Sequence, residues 1–513
     1  MTPSGRYLTT TTLIVALGGF LMGFDVSVIS GVVRFVEVEF ELSSLQLGWV
    51  VSSLSLTAAV GMLASGPLSD RLGRRPVLQI AAVLFAVSAV ASAVAPGYVT
   101  LVIARMLGGF GVGAALIVAP MYIAEMAPPA SRGRFVSFNQ LNIVIGISAA
   151  FFSNYLILTL GESGGAWSEA LRLGEWNWRW MLGIETLPAV AYLFALALVP
   201  ESPRWLAMRG RDEEAMEVLG RVAGADAGSI LREVKAGIAA EAALGRASWR
   251  VLLHPSLRLV MTVGIVVGIL QQITGINAVF FYAPMIFEQS GIGTNAAFMQ
   301  AALVGLVNLA FTVVAMVLID RFGRRPLLGF GLSGIAVCML LLAWAFVGAD
   351  DSNPRLILFA ILGFVASFAV SLGPVMWVLF SELFPNRVRG VAISFVGLVN
   401  SATAFLVTLV FPWQLEVMGS SLTFLIYGLL AVAGLVFVMR ILPETKGRSL
   451  EQLERCVSVN ANERGLITGA IKPIVIADAR PETPLSGLVA PGIGRIGVML
   501  PYTPLRRLLL EAV

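Results

Sequence analysis

The chain has 513 residues, of which 57% are hydrophobic and only 13% charged, with a mean hydropathy of +0.86 and a formal charge of +4. Soluble domains hold about 45–50% apolar and about 25% charged residues, so a water-soluble globule is excluded and a bilayer is the solvent that suits this composition. Two Cys and a single His, His254, leave no disulfide framework, no metal-ligand spacing and no His-based catalytic cluster.

A membrane-spanning helix needs about 20 mostly apolar residues. Such runs occur at 11–33, 47–67, 77–95, 100–122, 136–159 and 180–199, then at 258–287, 295–319, 327–348, 356–381, 391–413 and 420–442. The first run is too long for the apolar core of a cleavable signal. Many runs are rich in Gly and Ala, which lets packed helices approach closely. Between runs six and seven lies the longest polar stretch, with helical composition and solvated-face charge spacing over Asp212–Arg221 and Ile230–Glu241. The chain therefore divides into residues 1–200, a first six-helix half; 201–256, a helical linker; 257–455, a second half; and 456–513, a tail expected to be disordered because it has scattered Gly and Pro and no sustained period. Arg clusters on alternate loops, as at Arg71, Arg74, Arg75, Arg132, Arg321, Arg324 and Arg325, while Glu37, Glu39, Glu41 and Glu175 mark the other side. This positive-inside bias places both termini and the linker in the cytoplasm, and it is topology rather than a nucleic-acid signature.

The halves repeat one another at an offset of roughly 250 residues, the sign of a duplicated unit. Asp70-Arg71-Leu-Gly73-Arg74-Arg75-Pro76 recurs as Asp320-Arg321-Phe-Gly323-Arg324-Arg325-Pro326. Glu125 with Arg132 recurs as Glu382 with Arg389, and Pro200-Glu201-Ser202 as Pro443-Glu444-Thr445. Each motif falls at an equivalent inner helix end. Asp70, Arg74, Arg75, Glu125, Arg132 and Glu201, with Asp320, Arg324, Arg325, Glu382, Arg389 and Glu444, are expected to form charge pairs that latch the cytoplasmic side when the site faces outward. Duplicated six-helix halves are a transporter architecture, with the substrate site between them near the midplane.

These motifs resemble the major facilitator superfamily, and within it the sugar porters, over residues 11–455. Four strings carry the closer resemblance: Pro200-Glu-Ser-Pro-Arg204, Gln271-Gln-Ile-Thr-Gly-Ile-Asn277, Gly373-Pro-Val-Met-Trp377 and Pro443-Glu-Thr-Lys-Gly447. The resemblance implies an all-α fold of twelve helices with alternating access. It also implies sugar contacts at Gln140, Gln271, Gln272, Asn277, Asn308, Trp377 and Asn400. The residues themselves agree: a sugar needs fixed amide donors and acceptors and an aromatic platform, and apolar helices carry few amides without a reason. Many family members have Trp where this chain has Ser401 and Tyr where it has Phe281, so the sugar or polyol is left open.

Asp25 in the first span and Arg105 in the fourth lie at similar depths. An intramembrane charge costs roughly 2.5–3.5 kcal/mol even on lenient scales, so the pair asks for a function. Burial and the opposite charge pull the Asp25 carboxyl in opposite directions, which suits a proton switch. Proton-coupled sugar porters have an Asp and an Arg matching these two, whereas passive members commonly have a neutral residue at the Asp position. The expectation is a multi-pass plasma- or inner-membrane symporter. It would act as a monomer on a sugar or polyol and a proton, and it would be no enzyme, with no cofactor and no nucleic-acid partner. A passive facilitator, a non-transporting sugar receptor and an organic-acid carrier are the alternatives.

Overall fold

The computed structural model describes residues 3–128, 131–244, 249–347, 353–384, 388–442 and 444–445. The tail from 446 onward, with the disorder expected of it, lies outside the described residues. Every described span is helical, as it must be where no water satisfies backbone polar groups. The first half contains α1 (Pro3–Val28), α2 (Ser44–Leu72), α3 (Arg74–Ala93), α4 (Tyr98–Met126), α5 (Arg132–Glu162) and α6 (Asn177–Ala197). The second contains α7 (Arg258–Glu288), α8 (Thr294–Phe322), α9 (Arg324–Ala345) and α10 (Pro354–Leu383). The last helical run, Arg389–Ile441, is 53 residues long but is broken at Gly419, whose φ of 75° no helix interior adopts. It is therefore two spans, α11 (residues 389–418) and α12 (residues 420–441), and the twelve-helix fold expected from the sequence is present.

Three further spans are interrupted where the chemistry lies. In α6 the helix lapses at Ile184 and Glu185, between Asn177–Gly183 and Thr186–Ala197. In α7 Thr274 and Gly275 separate Arg258–Ile273 from Ile276–Glu288, with Gly275 at φ 90°. In α10 Ser371 separates Pro354–Val370 from Leu372–Leu383. The linker folds into helices Pro203–Met208, Asp212–Ala223 and Ala227–Leu244, and Ser202 caps the first by accepting from Trp205 N at 3.4 Å.

The halves meet at the end remote from the Arg motifs. Gly48 of α2 lies against the backbone of Leu409, where an added Cβ would sit 2.0 Å from the carbonyl oxygen. Ser148 of α5 donates to Gly305 O at 2.8 Å. Trp49 packs edge-on against Phe405, and Phe151 meets Phe280 with its ring tilted. Arg34, on the short helix Val33–Glu39, pairs with Glu288 and donates to Thr294 Oγ1 at 2.7 Å, and Asn295 donates to Glu162. This conformation is closed at the end that the charge bias assigns to the outside.

Candidate substrate and coupling sites

The break in α7 creates the amide cluster. Gln271 and Gln272 close the first helix segment and Asn277 opens the second, so a left-handed Gly275 folds Asn277 back toward Gln272. Asn277 Nδ2 donates to Gln272 Oε1 at 2.7 Å, and Gln272 Nε2 donates to Gln271 Oε1 and to Asn400 Oδ1, each at 3.2 Å. Asn400 Nδ2 donates to Gln271 Oε1 at 2.7 Å and to Gly268 O at 2.9 Å. Gln271 Nε2 reaches Leu372 O, just past the break in α10, at 3.2 Å. Four of the seven expected contact residues thus form one buried network joining α7, α10 and α11. Neutral amides carry both donors and acceptors, so a polyhydroxylated ligand can replace these internal bonds one for one.

The other three expected contacts stand apart from those bonds. Trp377 is 36% exposed, lies edge-on to Phe380, and its ring edge comes within 3.9 Å of a Cβ built on Gly397. Met62 of the first half touches the same position at 3.7 Å, and the Ser401 hydroxyl lies 3.8 Å from Met62 Sδ. The indole and Ser401 therefore both stand at the junction between halves. Asn308 is buried on α8, one turn beyond the Gly305 crossing. Gln140 is half-buried on α5, and it is its neighbour Asn139 that packs on Gly19 of α1.

In the first half Asp25 and Arg105 form a buried ion pair, with side chains about 2% exposed, and Arg105 Nη2 also donates to Asp25 O at 3.1 Å. Asp25 Oδ2 and Arg105 Nε have no hydrogen-bond partner among the described residues. The sequence reading missed a third charge. Glu185, 2% exposed at the break in α6, lies close enough for Asp25 and Arg105 to act on it electrostatically. Its signal was available, as an acidic residue inside the sixth apolar run.

The Arg motifs form near-duplicate clusters. Arg74 makes a bidentate pair with Glu125 at 3.0 Å and reaches Asp70 at 3.1 Å, while Glu201 accepts from the backbone N–H of Arg74, Arg75 and Ser202. In the second half Arg324 pairs with Glu382 at 2.7 Å, and Glu444 accepts from Arg324 N and Arg325 N at 3.0 and 3.1 Å. Ser202 and Thr445 occupy matching places, each donating to the helix-end glutamate, Glu125 or Glu382. Arg389 donates to Phe384 O at 3.1 Å, and Arg132 is exposed at the first turn of α5. The side chain of Asp320 lies outside the described residues. These bonds join helix ends within one half. Glu125 and Glu201, with Glu382 and Glu444, are the acids expected to partner the Arg turns, and they do so here in a conformation closed at the opposite end. Burial outweighs the three backbone donors at Glu201 and holds its carboxyl above the usual range.

The fold and these paired sites define a membrane transporter of the major facilitator type. Residues 11–456 match the family model described as sugar (and other) transporter, and the chain belongs to that family. It is 39% identical over 444 residues to the arabinose-proton symporter of Bacillus subtilis, covering 86% of this chain and 92% of that one. It is 37% identical over 485 residues to the D-xylose-proton symporter of Escherichia coli, covering 88% and 96%. The inward-open structure of the xylose transporter XylE from E. coli superposes with a TM-score of 0.77 at 35% identity, covering 88% of this chain and 99% of that one. Its open side agrees with the closure seen here at the opposite end.

Proposed function

We propose that this chain is a proton-coupled symporter for a pentose, a hexose or a related polyol, working as a monomer with both termini in the cytoplasm. The observation that carries the reading is the division of the two sites. A neutral amide network suited to sugar hydroxyls lies in the second half, and a buried ion pair with a spare carboxylate oxygen lies in the first. The names of the relatives, symporters of arabinose and xylose with protons, support the same substrates.

Ionised Asp25 holds Arg105 in place. A proton on Asp25 cancels its charge and leaves a buried guanidinium without its counter-ion, a change worth several kcal/mol. Arg105 then seeks new partners, and α1 and α4 repack. The sugar acts on the other half by exchanging the amide–amide bonds of Gln271, Gln272, Asn277 and Asn400 for bonds to its hydroxyls, with Trp377, Asn308 and Gln140 closing around it. Each ligand biases the same rocking equilibrium, which couples them. The duplicated Arg–Glu clusters brace the helix ends so that each half moves as one body.

The test is uptake in proteoliposomes of the full-length protein, offered D-xylose, L-arabinose, D-glucose and a polyol, with external pH recorded. Symport predicts alkalinisation outside with each sugar that enters, and accumulation driven by an imposed pH gradient. Asp25→Asn should abolish accumulation and keep sugar exchange. Equilibration without pH change, or an accumulating Asp25→Asn variant, would establish a facilitator instead.

A further inference from the structure

None of the seven expected sugar contacts lies on α2, yet α2 reaches the edge of their site. Along α11, Ser394, Gly397, Leu398 and Ser401 recur at helical spacing and so share one face. Opposite them Ala59, Met62 and Leu63 of α2 repeat the spacing. Ser401 follows Asn400 by about 100° round the helix, so Asn400 bonds to α7 while Ser401 meets α2, its hydroxyl 3.8 Å from Met62 Sδ. The Met62 methyl group and the edge of the Trp377 indole lie 3.7 and 3.9 Å from the place a Cβ would take on Gly397. Both are ordinary van der Waals distances, so the absent side chain leaves room for a methyl group between thioether and indole. A cavity of about 30 Å³ also borders Met62, lined further by Ala59, Leu63, Ile117, Ser394 and Leu398. That exceeds the roughly 10–15 Å³ that admits one water. Met62 thus has space beside it in two places, and a thioether with its three rotatable bonds adapts to such gaps better than other apolar side chains.

We propose that Met62 sets the size of sugar this chain accepts. Its side chain forms the first-half wall of the site beside Trp377, in the volume that the exocyclic hydroxymethyl group of a hexose requires. D-Glucose is D-xylose with one hydroxymethyl group added at C5, so that pair of sugars isolates the group. A pentose leaves the thioether where it stands. A hexose pushes it toward Gly397 or into the adjoining cavity, and the contacts given up in that move weaken hexose binding without abolishing it. The wall belongs to α2, whereas the amides belong to α7 and α11. A sugar held by both therefore touches the two halves at once, and its size bears on how closely they approach.

The inference deepens the reading of a sugar site at the amides and Trp377 and rests on it, and the experiment separates the two. Full-length protein in detergent is titrated calorimetrically with D-xylose and with D-glucose. The readout is the ratio of the two affinities, which a general loss of stability does not move. Met62→Ala opens the wall and should shift the ratio toward D-glucose by about tenfold or more, the effect of making room for one further carbon in a packed pocket. Met62→Leu, which conserves volume, should stay near the wild-type ratio. Gly397→Ala meets nothing closer than 3.7 Å, fills the gap into which the thioether retreats, and should shift the ratio toward D-xylose. A ratio unmoved in both Met62→Ala and Gly397→Ala, or moved in the same direction by both, overturns the assignment of Met62. If Asn400→Ala binds both sugars as wild type does, or if wild type binds neither, the sugar site itself has been misplaced. Weakened binding in Asn400→Ala beside an unmoved ratio in the two size variants overturns the wall alone.

Discussion

Gly48 offers the sharpest control over the conformational equilibrium. A Cβ at this position would lie 2.0 Å from Leu409 O and 2.9 Å from its carbonyl carbon. Both belong to backbone, which cannot swing aside as a side chain can. The two helices must part by roughly an ångström, and a packed interface resists so small a deformation until it opens altogether. Overpacking of this kind costs about 1–3 kcal/mol. Because α2 and α11 belong to different halves, the cost falls only on the state closed at this end, so Gly48→Ala should shift the equilibrium toward the opposite-facing state by about 5- to 150-fold. Gly146 is the matched control: its Cβ would lie 2.1 Å from Phe20 O, but α1 and α5 belong to one half, so rocking cannot relieve the clash. In a background without Cys338 and Cys456, a cysteine at Ser44, which lines the mouth of the closure, reports accessibility to an impermeant maleimide. Gly48→Ala should speed labelling, slow net uptake and leave the melting temperature in detergent near wild type. Gly146→Ala should lower the melting temperature with little change in labelling. Unchanged labelling and uptake in Gly48→Ala, or a loss of melting temperature equal to that of Gly146→Ala, would refute the reasoning.

Asn400→Ala removes an amide proposed to bond the sugar and should weaken sugar binding by about tenfold, the loss of one hydrogen bond at the upper end of about 0.5–1.5 kcal/mol; unaltered affinity by titration calorimetry would remove Asn400 from the site. Burial, and then the neighbouring Glu416 carboxylate, push the Glu37 carboxyl above its usual range against the pull of Arg34. The proton is therefore held more tightly in the closed state, so closure is favoured at low pH and weakens as pH rises through the raised value. Labelling at Ser44→Cys should rise with pH in this window and lose the dependence in Glu37→Gln, and an unchanged slope in that variant would exclude Glu37 as the cause. Glu201→Ala orphans three backbone N–H groups and Glu444→Ala at least two, so both should destabilise by about 2–4 kcal/mol after allowance for partial solvation. A melting temperature unchanged in either variant would count against this account of the helix ends.

The spans, the duplication and the charged helix ends were legible because each is a local pattern: twenty apolar residues, a repeated string, an Arg beside a Gly. The details that depend on which distant elements meet were not. The acids that partner the Arg turns could be named from the repeat, but not that Glu125 and Glu382 take the guanidinium while Glu201 and Glu444 take the backbone N–H groups. The breaks at Glu185 and Ser371 fall just before Pro188 and Pro374, which lack an N–H for the helix ladder, yet a Pro in an apolar run does not say whether the helix kinks or lapses. The split among the sugar-contact residues also depends on the tertiary fold. Gln271, Gln272 and Asn277 share one string and were read together, while the bonds from Asn400 cross from a helix more than a hundred residues away.

The two sites occupy equivalent helix pairs of the duplicated halves and solve the same packing problem with opposite chemistry. In the first half Arg105 of α4 donates to the backbone carbonyl of Asp25 on α1; in the second Gln271 of α7 donates to the carbonyl of Leu372 on α10. The first crossing is charged and lies beside an unbroken α1. The second is neutral and lies where both helices are broken, so its amides can change partners without stranding a charge. A carboxylate placed among those amides would bind one sugar hydroxyl strongly and slow its release, whereas neutral groups give many weak contacts that form and part together. Among the described residues no hydrogen bond links the two crossings. On the proposed assignment of the proton to Asp25 and the sugar to the amides, the two communicate through the equilibrium between the two facing states, and thermodynamic reciprocity requires that whatever sugar does to the proton affinity of Asp25, the proton does equally to the affinity for sugar.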